Sequence, residues 1–264
     1  MIILKNLDYN NIYISTPLNQ FELRDLLSID LPVLGNLHIS ITNIGLYLMI
    51  SGSFILILNL ISTNYNKLVG NSWSIGHETL YATIHSLVIN QINPKNGQMY
   101  FPFIYTLFLF ILINNLVGII PYSFATTSHF ILTFGLSFTI VLGATILGFK
   151  EHGLKYFSLF VPGGCPLGLL PLLVIIEFIS HLAKNISLGL RLAANITAGH
   201  MLLYILSGFV YNMMNAGIIM FIVGLIPLTF IIAFSGLELA IALIQAHVFV
   251  VLTSSYIKEG LDLH

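Results

Sequence analysis

The sequence predicts an all-α polytopic membrane protein, and two observations carry that expectation. Apolar residues make up 57% of the 264 positions and charged residues 7%, whereas charged residues approach about a quarter of an ordinary soluble domain. The apolar residues also fall into long charge-poor runs, and two of these, Leu172–Gly208 and Gly217–Ile257, exceed what one upright crossing of the bilayer needs.

Taken in order, residues 1–35 mix charges with Pro17 and Pro32 and read as an extramembrane arm. The charge-free run Ile44–Ile61 is long enough to cross about 30 Å of hydrocarbon at about 1.5 Å per residue, so it predicts a transmembrane helix. Between Trp73 and Asn90, Leu80, Ile84, Leu87 and Val88 share one helical face, while His77, Glu78, His85 and Ser86 share another. That pattern predicts an interfacial amphipathic helix. Phe101–Ile120, broken off by Pro121, and Phe130–Phe149, closed by Lys150, Glu151 and His152, predict a membrane hairpin over 101–150. Asn114 and Asn115 lie inside its first arm and are expected to hydrogen-bond a neighbouring helix. In residues 161–168 two prolines flank paired glycines, which marks a turn.

The two long runs, 172–208 and 217–257, are expected to form an antiparallel pair joined through Tyr211–Asn215. A helix of about 37 residues extends roughly 55 Å, nearly twice the hydrocarbon thickness, so each must tilt steeply or break, with Pro227 the candidate bend. No internal repeat marks the inverted halves of a secondary transporter.

Composition closes several functional classes. A net charge of −1 with nine scattered Lys and Arg leaves no basic patch, so nucleic-acid binding is not expected. Cys165 is the single cysteine, which excludes an intrachain disulfide and gives no thiol pair for zinc or redox work. The nine histidines show no HxxxH or HExxH spacing on the long apolar runs, so no metal or other cofactor is expected. Nucleotide chemistry lacks a Gly-rich phosphate loop.

Arg191 is the anomaly. An arginine at mid-bilayer costs roughly 2.5–3.5 kcal/mol on insertion scales and therefore marks a candidate functional site. The competing reading is a guanidinium that snorkels to the headgroups or closes a structural ion pair. Gly189, Ala193, Ala194, Ala198 and Gly199 surround Arg191 with small side chains, which lets another helix approach.

Other polar residues align with it. Glu177, Lys184 and Arg191 recur at seven-residue spacing with Asn195 one turn beyond, and Glu238, Gln245 and Glu259 recur likewise, with Leu252 filling the skipped position. Folding the pair at about residue 213 sets Arg191 near the level of Glu238, sets Glu177 between Gln245 and Leu252, and leaves Glu177 and Glu259 towards the open end. His200 points to the opposite side of its helix from Arg191 and lies about 13 Å further along.

The chemistry thus divides into His200 with Glu238 and Glu177 with Glu259, with a permanent cation between them. That is a plan for two offset half-channels. Histidine and buried carboxylates are the groups that load and unload protons near neutral pH. Arginine cannot take the proton, but it favours the ionised form of a carboxylate brought to it by a partner and so makes that carboxylate release its proton. About 2.3 kcal/mol per charge per 100 mV is available to drive such steps.

SLGLRLAANITAGH at 187–200, with TPLNQFELR from residue 16, NNLVGIIPYSFATTSH at 114–129 and LELAIALIQAHVFVVLTSSYIKEGLDLH at the end, resembles subunit a of the rotary ATP synthases over most of the chain. The resemblance implies that Arg191 is the essential arginine facing the carboxylates of a c-ring. It further implies that Asn195 lies beside Arg191, that Gln245 helps to hold it, that His200 and Glu238 form the intermembrane-space half-channel pair, and that Glu177 and Glu259 are the matrix-side acids. It also implies a mitochondrial inner-membrane location, contacts with peripheral-stalk and other membrane-sector subunits and with lipid, no catalysis by this chain alone, and, as in fungal forms, removal of residues 1–15. The rival readings are a proton-coupled secondary transporter and a structural membrane subunit of a respiratory complex.

Overall fold

The computed structural model describes residues 16–31, 37–63, 70–92, 94–121, 123–161 and 168–262. The expected propeptide at 1–15 and most of the turn at 161–168, with Cys165, lie outside the described residues. Six helices dominate: α1 (Asn43–Ser62), α2 (Ser72–Ile92), α3 (Pro94–Ile119), α4 (Phe130–His152), α5 (Leu170–Asn215) and α6 (Ile218–Leu261). Among the described residues, five segments are long and apolar enough to cross a membrane, namely Asn43–Ser62, Gly97–Ile119, Phe130–Phe160, Leu170–Asn215 and Ile218–Leu261. The chain is an all-α multi-pass membrane protein.

The amino-terminal arm adds an element that its charges and prolines did not announce. Strands β1 (Asp25–Leu31) and β2 (Leu37–Thr42) pair antiparallel, with Asp25 opposite Thr42 and Ser28 opposite Ser40. The second strand runs directly into α1, where the Thr42 hydroxyl accepts from the Gly45 backbone N–H at 3.4 Å and caps the helix.

Helix α6 is the hub, because it packs on α2, α3, α4 and α5. One face of its second half, Ala242, Ala246, Phe249, Val250 and Thr253, is buried, and it meets Leu188 and Leu192 of α5 and Ile104 and Ile111 of α3 in a single core. Small residues at 242 and 246 admit the neighbouring helices, and Phe249 fills the space between them. Asn115 of α3 donates to the Ala242 carbonyl at 3.3 Å, and Ser254 bonds Gln91 of α2, so polar ties supplement the apolar packing. Asn114 instead donates to the Phe110 carbonyl of its own helix and accepts from the Thr126 hydroxyl at 3.0 Å.

Three expectations change. The arms of the 101–150 hairpin, α3 and α4, dock on the long helices rather than on each other, α3 chiefly on α6 and α4 on both α5 and α6. Two apolar helices joined by the loop at 120–129 bury more surface by flanking a third than by pairing alone. The joint between the long helices is not Tyr211–Asn215, which stays in α5 because nothing in YNMMN breaks a helix. The turn falls at Ala216 and Gly217, where Gly217 takes φ +141°, a conformation that L side chains rarely adopt. In α2, His77 is not on an outer polar face. Its ring nitrogen bonds the Tyr105 hydroxyl at 3.1 Å, and the Tyr105 ring in turn meets Tyr81 and Phe101. Residues 77, 81, 84 and 88 follow helical spacing, so His77 shares the packed stripe that buries Ile84 and Val88.

Neither long helix breaks. Pro171 stands in the first turn of α5, where its missing N–H leaves no intrahelical bond unmade, and α6 continues through Pro227.

Candidate functional site: the polar seam between the two long helices

Among the described residues, side-chain pairs tie α5 to α6 at three levels, and together they set the register. Nearest the turn, His200 Nε2 lies 3.6 Å from Glu238 Oε1. Further along, the Asn195 amide donates to Gln245 Oε1 at 3.0 Å. Towards the open end, Lys184 Nζ donates to both oxygens of Glu259, at 3.1 and 3.0 Å. Arg191 falls between Lys184 and Asn195 on α5, so its level on α6 lies between Glu259 and Gln245 and not at Glu238. For the same reason Glu177 lies beyond Glu259 and not between Gln245 and Leu252. The expected register was displaced because the turn comes later in the chain than residue 213.

His200 and Glu238 are enclosed. Glu238 is buried, and His200 is 16% exposed in its side chain. At 3.6 Å they are too far apart for a direct hydrogen bond, and neither His200 Nε2 nor either Glu238 oxygen finds another partner among the described residues. Buried polar groups are nearly always hydrogen-bonded, so a buried pair with unused capacity calls for a specific role. Gly199 lets the two helices close here, since a methyl on it would stand 2.8 Å from Glu238 Oε1. The Phe21 ring meets His200 edge-on at 6.3 Å, so the amino-terminal arm folds over this end of the seam.

Arg191 faces away from the core. Its side chain is exposed in a shallow, open groove of about 510 Å³ lined by Ala183, Ile186, Ser187, Leu190 and Ala194, and it makes no ion pair among the described residues. Gln245, expected to help hold Arg191, is instead hydrogen-bonded to Asn195. The small residues around Arg191 divide by face. Ala194 and Ala198 share its outer side, whereas Gly189 and Ala193 are buried inward. A methyl on Gly189 would stand 2.8 Å from Ser137 Oγ, so that glycine admits α4 of the same chain. Helical geometry requires this split, because residues two apart on a helix point about 200° apart.

The other group of titratable residues lies at the open end. Glu177, His181, Lys184 and Glu259 interact electrostatically there, and Glu177 makes no hydrogen bond or ion pair among the described residues. The structure therefore brings His200 to Glu238, Asn195 to Gln245, and Glu259 to the Glu177 end, and it leaves Arg191 on the outer face without an ion pair among the described residues. Residue spacing had put Lys184 in the stripe without a role, and its position seven residues before Arg191 was the available signal. Phe21 carried no local signal. Nor did the Thr197 hydroxyl, which donates to the Ser128 carbonyl at 3.2 Å and ties α5 to the loop between α3 and α4.

Fold and site define a multi-pass membrane chain whose ionisable residues line a helix pair, with Arg191 facing outward and without an ion pair among the described residues. Comparison with known proteins gives that class a family. The sequence model of the family described as ATP synthase A chain matches residues 45–258. ATP synthase subunit a of Podospora anserina is 76% identical over 252 residues, covering 96% of each chain. That of Neurospora crassa is 73% identical over 263 residues, covering 99% of this chain and all of the relative. That of Eremothecium gossypii is 49% identical over 261 residues, covering 99% of each. The chain belongs to the ATP synthase A chain family, the proton-translocating subunit of the ATP synthase membrane sector.

Proposed function

We propose that this chain is the stator of a mitochondrial ATP synthase, seated in the inner membrane, and that it carries protons to and from the carboxylates of a c-ring through two offset half-channels. The observation that carries the reading is the position of Arg191, exposed in a groove walled by small and apolar side chains, with separate titratable groups before and after it on the same helix. His200 and Glu177 are separated by roughly 35 Å of helix, with Arg191 about 13 Å from the level of His200. On an inclined helix that separation projects to less than the hydrocarbon thickness, so each group needs a water path to its own membrane surface.

In this scheme a proton enters through His200 and Glu238 and neutralises a ring carboxylate, which can then face lipid. After rotation, a carboxylate arriving at Arg191 meets a fixed cation that favours its ionised form, and the proton leaves by Glu177 and its neighbours. Arg191 never carries the proton, and its charge repels one that would cross directly between the two groups. Helices of 46 and 44 residues lie inclined along the ring, since upright they would extend well beyond the bilayer. The exposed apolar first half of α6, including Ile219, Ile226 and Ile232, and the outer face of α1 are left for lipid, peripheral-stalk and other membrane-sector subunits. A carrier would need a substrate pocket between α5 and α6. Leu188, Leu192, Ala246 and Phe249 fill that space.

Cross-linking tests the ring contact. Ser187→Cys or Ala194→Cys, on the Arg191 face, should form a disulfide with a cysteine placed one turn from the ring carboxylate. Val210→Cys, on a buried position, should not. Equal yields from both faces would contradict the orientation.

A further inference from the structure

The open end of the seam holds more ionisable chemistry than an exit through two acids requires. His181 lies one turn beyond Glu177 and one turn before Lys184, so the three side chains share a face of α5. The ring packs edge-on against Phe160 at 5.8 Å, and its Nε2 is sealed from solvent without a hydrogen-bond partner among the described residues. The charges that act on it are Glu177 and Lys184 of its own helix and Glu259 of α6. The neighbouring 3-10 segment, Gly153–Phe160, contributes Phe160 to the ring and Tyr156, which feels the charge of Glu259. Tyr256 of α6 donates to the Lys184 carbonyl at 3.4 Å.

Glu259 and Glu177 differ in one respect. Both Glu259 oxygens are engaged by a single ammonium, in a pair with each side chain 33% exposed. Glu177 makes no such pair among the described residues. An acid whose two oxygens are taken is a poor acceptor for a passing proton, whereas a free acid one turn from an imidazole is well placed to exchange one.

We propose that His181 is a further proton-carrying residue at this end of the seam, exchanging protons with the Glu177 carboxylate, while Lys184 withholds Glu259 from that exchange. The proposal rests on the two-half-channel reading. The step breaks an O–H bond on Glu177 and forms an N–H bond on the imidazole, which then gives its proton to water and returns to the neutral ring. No other bond changes. Histidine suits the task because its protonation changes in the neutral range.

The test uses the complete ATP synthase containing this chain, reconstituted in liposomes. ATP synthesis is driven by a potassium–valinomycin potential with equal pH on both faces, and each rate is normalised to assembled complex. His181→Gln and His181→Phe, the second preserving the packing on Phe160, should each lower the rate about tenfold and flatten its dependence on the pH of the nucleotide-facing side between about pH 5.5 and 7.5. Free imidazole on the nucleotide-facing side should restore part of the rate in both. Adding Lys184→Gln to His181→Gln should also restore part of it, because a released Glu259 can accept the proton.

Wild-type rates in both His181 variants, or slow rates that ignore imidazole, overturn the role of His181. A double variant no faster than His181→Gln overturns the role of Lys184. Glu177→Gln separates the two levels of the argument. If it stops synthesis while the His181 variants run normally, the half-channel stands and His181 is excluded. If it runs at the wild-type rate, the half-channel reading fails as well.

Discussion

His200 Nε2 stands 3.6 Å from Glu238 Oε1 across the seam between α5 and α6, and neither that nitrogen nor either Glu238 oxygen has a hydrogen-bond partner among the described residues. A shared proton-exchange site has a specific mutational signature. Single changes, His200→Ala or Glu238→Ala, should each slow proton conduction by about tenfold or more. The exchange of the two residues, His200→Glu with Glu238→His, should conduct faster than either single change, with a coupling of about 0.5–3 kcal/mol in the double-mutant cycle. Conduction in the swap no better than the product of the single variants would leave the two residues as independent packing elements.

Gly199→Ala and Gly189→Ala separate transport from stability. At Gly189 the added methyl meets Ser137 Oγ at 2.8 Å and the Thr133 carbonyl at 3.1 Å, and a backbone carbonyl inside a helix cannot yield. Overpacking of this kind should destabilise the subunit by about 1–3 kcal/mol, read as a lower thermal midpoint of the assembled complex. At Gly199 the obstacle is the Glu238 side chain, 2.8 Å away. There the carboxylate can swing, so the thermal midpoint should change little while proton conduction falls.

Position in the core makes a further contrast. Phe249 is fully buried where α6 meets its neighbours, and Phe249→Ala should cost about 3–5 kcal/mol of stability. Ile226, 61% exposed on the first half of α6, should tolerate alanine within about 0.5 kcal/mol unless another subunit covers it. Denaturation of the purified complex in detergent compares the two.

Much of this was legible in the sequence, and what was missed has physical causes. The long apolar runs gave the membrane helices, because hydrocarbon thickness leaves little freedom in span length. The seven-residue recurrence gave Lys184, Glu238, Gln245 and Glu259, which meet partners across the helix pair, but its slow drift carries Arg191 round to the outer face. Register was another matter. It hung on Gly217, whose positive φ carries the turn, and on the continuation of α5 through Asn215, so a displaced pivot carried Arg191 away from the level of Glu238. Which small residues face a partner and which face α4 or α6 is written in the helical phase of Gly189, Ala193 and Gly199 against Ala194 and Ala198, although composition alone does not separate them. The strand pair at 25–42 lay hidden because two short strands have little signal beside charges and prolines.

Access from the two membrane faces should differ along the seam. Cysteines replacing Glu238 and Glu177 should react with small water-soluble thiol reagents from opposite sides of sealed vesicles. Labelling of both from one side would join the two half-channels and contradict their offset.

Arg191 carries the central claim, and ATP-driven proton pumping in sealed vesicles tests it most directly. Arg191→Ala should leave the complex assembled, because the side chain is exposed and unpaired among the described residues, yet abolish pumping. Arg191→Lys should fail as well, since a compact ammonium does not reproduce the planar guanidinium. Normal pumping rates in either variant would show that no fixed cation is needed at this position, and the account of two half-channels kept apart by Arg191 would be wrong.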